Sequence, residues 1–141
     1  MKIAIASDHG GLELKNSLFN YLKEKHVIED FGTNTKESCD YPFFAKKVAE
    51  EVANKNFDKG ILICTTGQGM AICANKTKGI RAVCVSDKYC AQMTREHNNA
   101  NILTMGQKIV DETLAKEIVD IWLNAEFQGE RHQRRVDMFE E

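Results

Sequence analysis

A chain of 141 residues with 43% apolar and 28% charged side chains has the composition of a soluble globular protein. That length buries roughly 68–70% of the surface an unfolded chain exposes, so one domain over residues 1–141 needs no covalent staples. A formal net charge of -2 gives no electrostatic reason for a nucleic-acid or anionic-membrane partner, and no stretch approaches the ~20 apolar residues of a membrane span.

The opening run, Met1-Lys2-Ile3-Ala4-Ile5-Ala6, is too short for the core of a secretory leader. Residues 2–7 read as a strand covered on both faces. Asp8-His9-Gly10-Gly11 follows directly. Leu14, Leu18, Tyr21 and Leu22 then recur at helical spacing, with Glu13, Lys15, Lys23 and Glu24 assigned to the polar face. Val27 to Phe31 reads as a second strand, closed by Gly32. Pro42 suits the first turn of a helix whose apolar face is Phe44, Ala45, Val48, Ala49 and Val52. Residues 60–64 are a third strand, followed by Cys64-Thr65-Thr66-Gly67-Gln68-Gly69 and a short helix to about Asn75. Arg81 to Val85 is a fourth strand. Asp87 caps the next helix, which counts Cys90 and Met93 among its apolar positions. Ile102 to Met105 is a fifth strand, stopped by Gly106. Leu114, Ile118, Ile121 and Trp122 trace a long amphipathic helix; Gly129 breaks it, and a basic helix begins near Glu130.

Strands alternating with helices at these spacings predict a single α/β domain, a parallel sheet between two helical layers. In such sheets ligands collect at the carboxyl ends of the strands. Asp8 and His9 follow the first strand, and Cys64 to Gly69 the third. A glycine-bearing turn that opens a helix offers backbone N–H groups to an anion, and a cysteine at its entrance is favoured as thiolate.

Each of these residues also has a plainer reading. Cys64 is equally a small buried hydrophobe, and Cys39, Cys73, Cys84 and Cys90 keep that reading. An odd cysteine count without C-x-x-C argues against a disulfide framework or a zinc site and for a reducing cytoplasm. Asp8 suits a helix cap, and His97 a helix C-terminus. Arg131 and Arg135 lie one helical turn apart and suit a phosphate dianion, whereas Arg134 reads as solvated. The turn is not a Walker loop. A cysteine-phosphatase loop would need an arginine where Met70 stands.

Asp8-His9-Gly10-Gly11, Asp40-Tyr41-Pro42, Cys64-x-Thr66-Gly67-x-Gly69, Ala74-Asn75-Lys76, Gly79-Ile80-Arg81-Ala82, His97-Asn98-x-x-Asn101 and Gly129-x-Arg131-His132-Gln133-x-Arg135 together resemble the type B ribose-5-phosphate isomerases. That family also holds allose-6-phosphate isomerase and the galactose-6-phosphate isomerase subunits, and the resemblance spans essentially the whole chain. It implies a Rossmann-like three-layer α/β/α domain with a five-stranded parallel sheet and a C-terminal basic helix. It implies no metal and no organic cofactor. It implies a homodimer or dimer of dimers with active sites at the subunit interface. The implied substrate is a sugar phosphate. Cys64 would move the proton between C1 and C2, and Thr66 would assist. The N–H groups from Thr65 through Gly67 and Gln68 to Gly69 would hold the enediolate oxygen. Asp8 and His97 would open the sugar ring. His9, Arg131 and Arg135 would grip the phosphate, while Tyr41, Asn98 and Asn101 would line the sugar. Met70 stands where one branch carries a glutamate base, so Cys64 must serve. Lys108 stands where many members carry arginine, and Thr65 and Gln68 replace smaller residues.

The expectation is therefore an aldose–ketose isomerase acting on ribose 5-phosphate and ribulose 5-phosphate through a cis-enediol. The alternatives are a six-carbon sugar-phosphate isomerase, a cysteine-dependent phosphatase, and a non-catalytic sugar-phosphate-binding or redox-sensing module.

Overall fold

The computed structural model describes residues 1–141. Strands β1 (Lys2–Ser7), β2 (Val27–Asp30), β3 (Lys59–Cys64), β4 (Ala82–Cys84) and β5 (Ile102–Gly106) form one sheet in the order β2-β1-β3-β5-β4, with every pair parallel. Helices α1 (Leu12–Leu22), α4 (Lys88–Glu96) and α5 (Glu112–Asn124) pack together on one face. Helices α2 (Tyr41–Ala53) and α3 (Gln68–Ala74) pack together on the other. The basic helix α6 (Arg131–Asp137) comes last before a closing 3-10 turn.

The period-two geometry of a strand sorts the core. Ile3, Ile5, Ile61, Ile63, Leu103 and Met105 point toward α1 and α5, against Leu14, Leu18, Ile118 and Trp122. Ala4, Ala6, Leu62, Cys64 and Ile102 point the other way, against Val48, Val52, Met70 and Ala74. Both faces are covered, so the strands read as continuous apolar runs rather than alternating ones.

The connections obey one hand. From β1 to β2 and from β4 to β5 the chain steps toward one edge and carries its helix on the α1 face. From β2 to β3 and from β3 to β4 it steps toward the other edge and carries its helix on the α2 face. That is the pairing of direction and face that right-handed crossovers require. The direction of departure reverses between β1 and β3. A crevice therefore opens at their carboxyl ends, where Asp8 and Cys64 emerge.

Asn75 closes the sheet's outer edge. Its side-chain amide accepts from Ala82 N–H and donates to the Ala82 carbonyl, both at 2.8 Å, so it mimics a neighbouring strand. That is one way to blunt an edge that would otherwise pair with another chain. The amide supplies a physical reason for Asn75 in the Ala74-Asn75-Lys76 motif.

Three expectations need correction. Lys15, assigned to the polar face of α1, is 0% exposed. Its ammonium bonds both Asp30 oxygens, at 2.9 and 2.7 Å, together with the Thr33 carbonyl and Asn34 Oδ1. An ion pair that also meets carbonyl oxygens makes this burial possible. Cys84 and Cys90 are exposed rather than buried; α4 instead buries Ala91, Thr94 and Arg95. Strand β4 is shorter than expected, Ala82–Cys84 rather than Arg81 to Val85, although Arg81 and Val85 still bond the β5 segment.

Lys15→Met would leave the Asp30 carboxylate without its counter-charge and with only the Gly32 N–H as donor. It is expected to cost about 3 kcal/mol or more of stability in urea unfolding. A loss within ~0.5 kcal/mol would show that the pair does not hold α1 to the loop after β2.

Candidate active site

The carboxyl end of the sheet carries the first half of the candidate residues. After β1 the chain makes a 3-10 turn, His9–Gly11, capped by Asp8, whose buried carboxylate accepts the Gly10 N–H at 2.9 Å. The cap reading of Asp8 is thus correct. Exposed His9 accepts the Cys39 N–H on Nδ1 at 3.2 Å, which fixes its ring and leaves Nε2 uncommitted.

Cys64 ends β3 and is buried. Its sulfur accepts the Gly67 N–H at 3.1 Å. Gly67 has φ +84°, in the left-handed region, and a Cβ there would lie 2.7 Å from the Met105 carbonyl carbon. Only glycine turns the chain in that space. The turn is held from the β5 side by three bonds. Gln107 N–H donates to the Cys64 carbonyl (2.9 Å), Lys108 N–H to the Thr65 carbonyl (3.1 Å), and the buried Thr104 hydroxyl to the Gly67 carbonyl (2.7 Å).

These bonds occupy the turn's carbonyls and leave several of its donors free. The N–H groups of Thr65, Thr66 and Gly69 find no acceptor within the chain, while Gln68 N–H leans on Thr66 Oγ1 at 3.4 Å. Of the N–H groups from Thr65 to Gly69 expected to form an anion hole, that of Gly67 is engaged by the cysteine sulfur. Thr65, Thr66 and Gln68 are exposed, as is Lys108 just beyond β5. The Tyr41 ring lies directly over Gly69, where an added Cβ would come within 2.5 Å of it.

The second half lies at the opposite end. His97 caps the C-terminus of α4, and Asn98 follows it. Helix α4 runs back from the carboxyl end of β4 to the amino end of β5, so these residues sit below the sheet. The spacing from Asn101 to Gly106, which pairs with Cys64, corresponds to about 16 Å at ~3.3 Å per residue. Helix α6 lies at the same low end, because the His132 ring stacks on His97 with centroids 4.2 Å apart and planes 8° apart. Arg131 and Arg135 on that helix are exposed and make no ion pair. A cavity of about 630 Å³ opens here between α6 and the loop before β4, lined in part by Asn98, Gln133 and Val136.

Within one chain the structure thus gathers Asp8, His9, Tyr41, Cys64 to Gly69 and Lys108 at one end, and His97, Asn98, Arg131 and Arg135 at the other. Asn101, expected to line the sugar, lies at this lower end as well. It precedes β5, and its amide is spent on Arg81 N–H (2.8 Å) and the Gly79 carbonyl (2.9 Å). Sequence reasoning also missed Thr104 and His132. A threonine inside a buried apolar strand was the available signal for the first. For the second nothing local announces a stack across thirty-five residues of chain. No group of three or more His, Cys, Asp or Glu side chains converges so as to hold a metal ion.

Comparison with known proteins matches this arrangement along its whole length. A profile described as Ribose/Galactose Isomerase matches residues 3–139. A Listeria innocua protein named ribose-5-P isomerase B is 49% identical over 142 residues, covering 100% of this chain and 96% of its own. The ribose-5-phosphate isomerase B of Escherichia coli is 49% identical over 137 residues, covering 96% of this chain and 92% of its own. Among solved structures, the Clostridium thermocellum ribose-5-phosphate isomerase B superposes with a TM-score of 0.96 at 53% identity, over 97% of this chain and 93% of that one. The Mycoplasma genitalium enzyme, solved with bound ribulose-5-phosphate, superposes with a TM-score of 0.93 at 44% identity, over 96% and 91% of the two chains. The chain belongs to the Ribose/Galactose Isomerase family.

Proposed function

We propose that this chain is an aldose–ketose isomerase that interconverts D-ribose 5-phosphate and D-ribulose 5-phosphate, with residues 1–141 as one catalytic domain. One observation carries the reading. A buried sulfur shares a rigid turn with N–H groups that have nothing to donate to. The reaction needs those two things together: a base beside a carbon, and fixed donors for the oxygen that gains charge.

Cys64 takes the C2 proton of the open aldose. The electron pair moves to the C1 carbonyl oxygen, and the N–H groups of Thr65, Thr66 and Gly69 hold the enediolate. The proton returns from Cys64 to C1 as the C2 hydroxyl becomes a carbonyl, with Thr66 assisting between the oxygens. One base on one face implies a cis-enediol. No electron leaves the substrate, so the residues named suffice for the step. Asp8 and His97 open the furanose by moving a proton between the ring oxygen and the anomeric hydroxyl. His9, Arg131 and Arg135 hold the phosphate. Tyr41 and Asn98 bound the sugar, and Lys108 offers a single charge at its rim.

The two ends of one molecule cannot close on one sugar phosphate across about 16 Å of strand. A second copy that brings its own His97, Arg131 and Arg135 to the Cys64 turn completes the site. Exposed Tyr41, Phe43, Ile72 and Ile109 lie around that turn and give such a partner an apolar footing. A two-fold pair would build two equal sites from one surface. No helix is long and apolar enough to cross a membrane, and five free cysteines accord with a reducing cytoplasm.

Purified protein given ribose 5-phosphate, allose 6-phosphate or galactose 6-phosphate is expected to form ketose from the first fastest, without free phosphate. Released phosphate would turn the reading toward a phosphatase, and a preference for allose or galactose 6-phosphate toward the six-carbon alternative. Cys64→Ala should lower kcat by about 10²–10⁴-fold, the worth of a positioned base, while the dissociation constant for ribose 5-phosphate stays within about twofold. Near-normal turnover would remove Cys64 from the mechanism.

The histidine stack has its own pH signature. Burial, then neighbouring His97 and the Arg131 and Arg135 guanidinium groups, push the pKa of His132 below its ordinary 6.5. The unfolded chain binds this proton near pH ~6.5, and the folded chain only at lower pH. Stability is therefore lost as pH falls below about 6.5 and levels off beneath the folded value. Urea unfolding of His132→Asn should lose less stability between pH 7 and 5.5 than the wild type. Parallel losses would mean that His132 titrates freely.

A further inference from the structure

We propose that the amino end of the sheet carries a second anion site, separate from the substrate phosphate, in which Lys59, Arg81 and Arg95 take a multiply charged oxyanion the size of inorganic phosphate. The three side chains line one cavity of about 240 Å³ below β3 and β5. None of them makes an ion pair. Arg95 is only 8% exposed; Nη1 donates to Asn99 Oδ1 and the Ala100 carbonyl, while buried Nε has no partner at all. Arg81 donates through Nε to the Asn99 carbonyl at 2.8 Å. The Lys59 ammonium makes no hydrogen bond and lies 6.0 Å from the centre of the Trp122 ring.

Three cations half or wholly withdrawn from water, without a counter-charge, are costly. Burial and then Arg95 push the Lys59 pKa down, and Asp58 only partly opposes them. Burial and then Arg81 do the same to Arg95. The carboxylates in reach do not settle the balance. Asp58 is engaged by the Lys2 N–H at 2.8 Å, and Glu140 by the Gly79 N–H. An incoming oxyanion would neutralise the cluster from within the cavity that all three side chains line. Guanidinium forks suit the tetrahedral oxygens of phosphate. Cations and neutral polar molecules gain no such pairing.

The site differs in place from the phosphate grip assigned to His9, Arg131 and Arg135, and it stands on its own residues whether or not the isomerase reading holds. It does touch the catalytic segment: Asn99, which accepts from both arginines, directly follows His97 and Asn98.

Trp122 is the only tryptophan and lies beside Lys59, so it reports on the cavity. At constant ionic strength, inorganic phosphate is expected to change Trp122 fluorescence saturably. Calorimetry should count two phosphate sites on each wild-type chain. Lys59→Gln, which breaks no bond of the fold, and Arg95→Gln should each weaken the fluorescent event about tenfold or more, as loss of a charged hydrogen-bond donor does. Arg135→Ala should leave that event unchanged. Ribose 5-phosphate titrated in parallel separates free phosphate from a phosphoryl ester as the occupant. No saturable change of Trp122 fluorescence in the wild type, or a phosphate midpoint unmoved in Lys59→Gln, would overturn the proposal.

Discussion

Everything at the functional end of this molecule depends on one close approach of backbone to backbone. The Cys64–Gly69 turn lies against the end of β5 with no room for a side chain between them. Gly67 and Gly106 both face the other strand's main chain, within 2.7 Å and 2.5 Å of where a Cβ would sit. The contact lets β5 fasten the turn's carbonyls with its own N–H groups and with the Thr104 hydroxyl. With its carbonyls tied behind, the turn presents its donors and the cysteine forward. The inverted strand order, β5 inside and β4 at the edge, serves this, because it brings the loop after β5 beside the loop after β3. Preorganised donors cost no reorganisation when charge develops on a substrate oxygen.

The same sheet separates the remaining chemistry. A parallel sheet sends every strand out at one end and every helix back to the other. Residues that follow strands, such as Asp8 and Cys64, therefore cannot meet residues that precede them, such as His97 and Asn98. The chain puts Cys64 and the free N–H donors of its turn at one end, and five cations without an ion-pair partner at the other: Arg131 and Arg135 on α6, and Lys59, Arg81 and Arg95 beneath the sheet. Two copies in opposite orientation would bring unlike ends together, which makes the assembly part of the proposed chemistry rather than an addition to it.

Much of this was legible in the residues. Continuous apolar runs announced the buried strands, and helical spacing announced α1, α2 and α5. The order strand, glycine turn, helix marked Cys64 to Gly69. What stayed hidden depends on partners distant in sequence. Lys15 looks like any surface lysine until Asp30 and the Thr33 carbonyl are folded against it. Nothing in the segment around Asn101 announces that its amide bonds the Arg81 N–H and the Gly79 carbonyl. Cys84 sits in a strand and still reaches solvent, because that strand is at the edge. The split of the site was present in the sequence and easily overlooked, since His97 to Asn101 stand before a strand and Cys64 stands at the end of one.

The central claim is that a working site takes the Cys64 turn from one copy and His97 from another. It is tested by mixing two inactive variants, Cys64→Ala and His97→Asn, under conditions that allow subunits to exchange. If sites are shared, each mixed dimer regains one intact site of its two. An equal mixture should then recover roughly a quarter of wild-type ribose 5-phosphate isomerase activity, as two-fold pairing requires. A mixture as inactive as its components, with exchange verified, would contradict the account and place each site within a single chain.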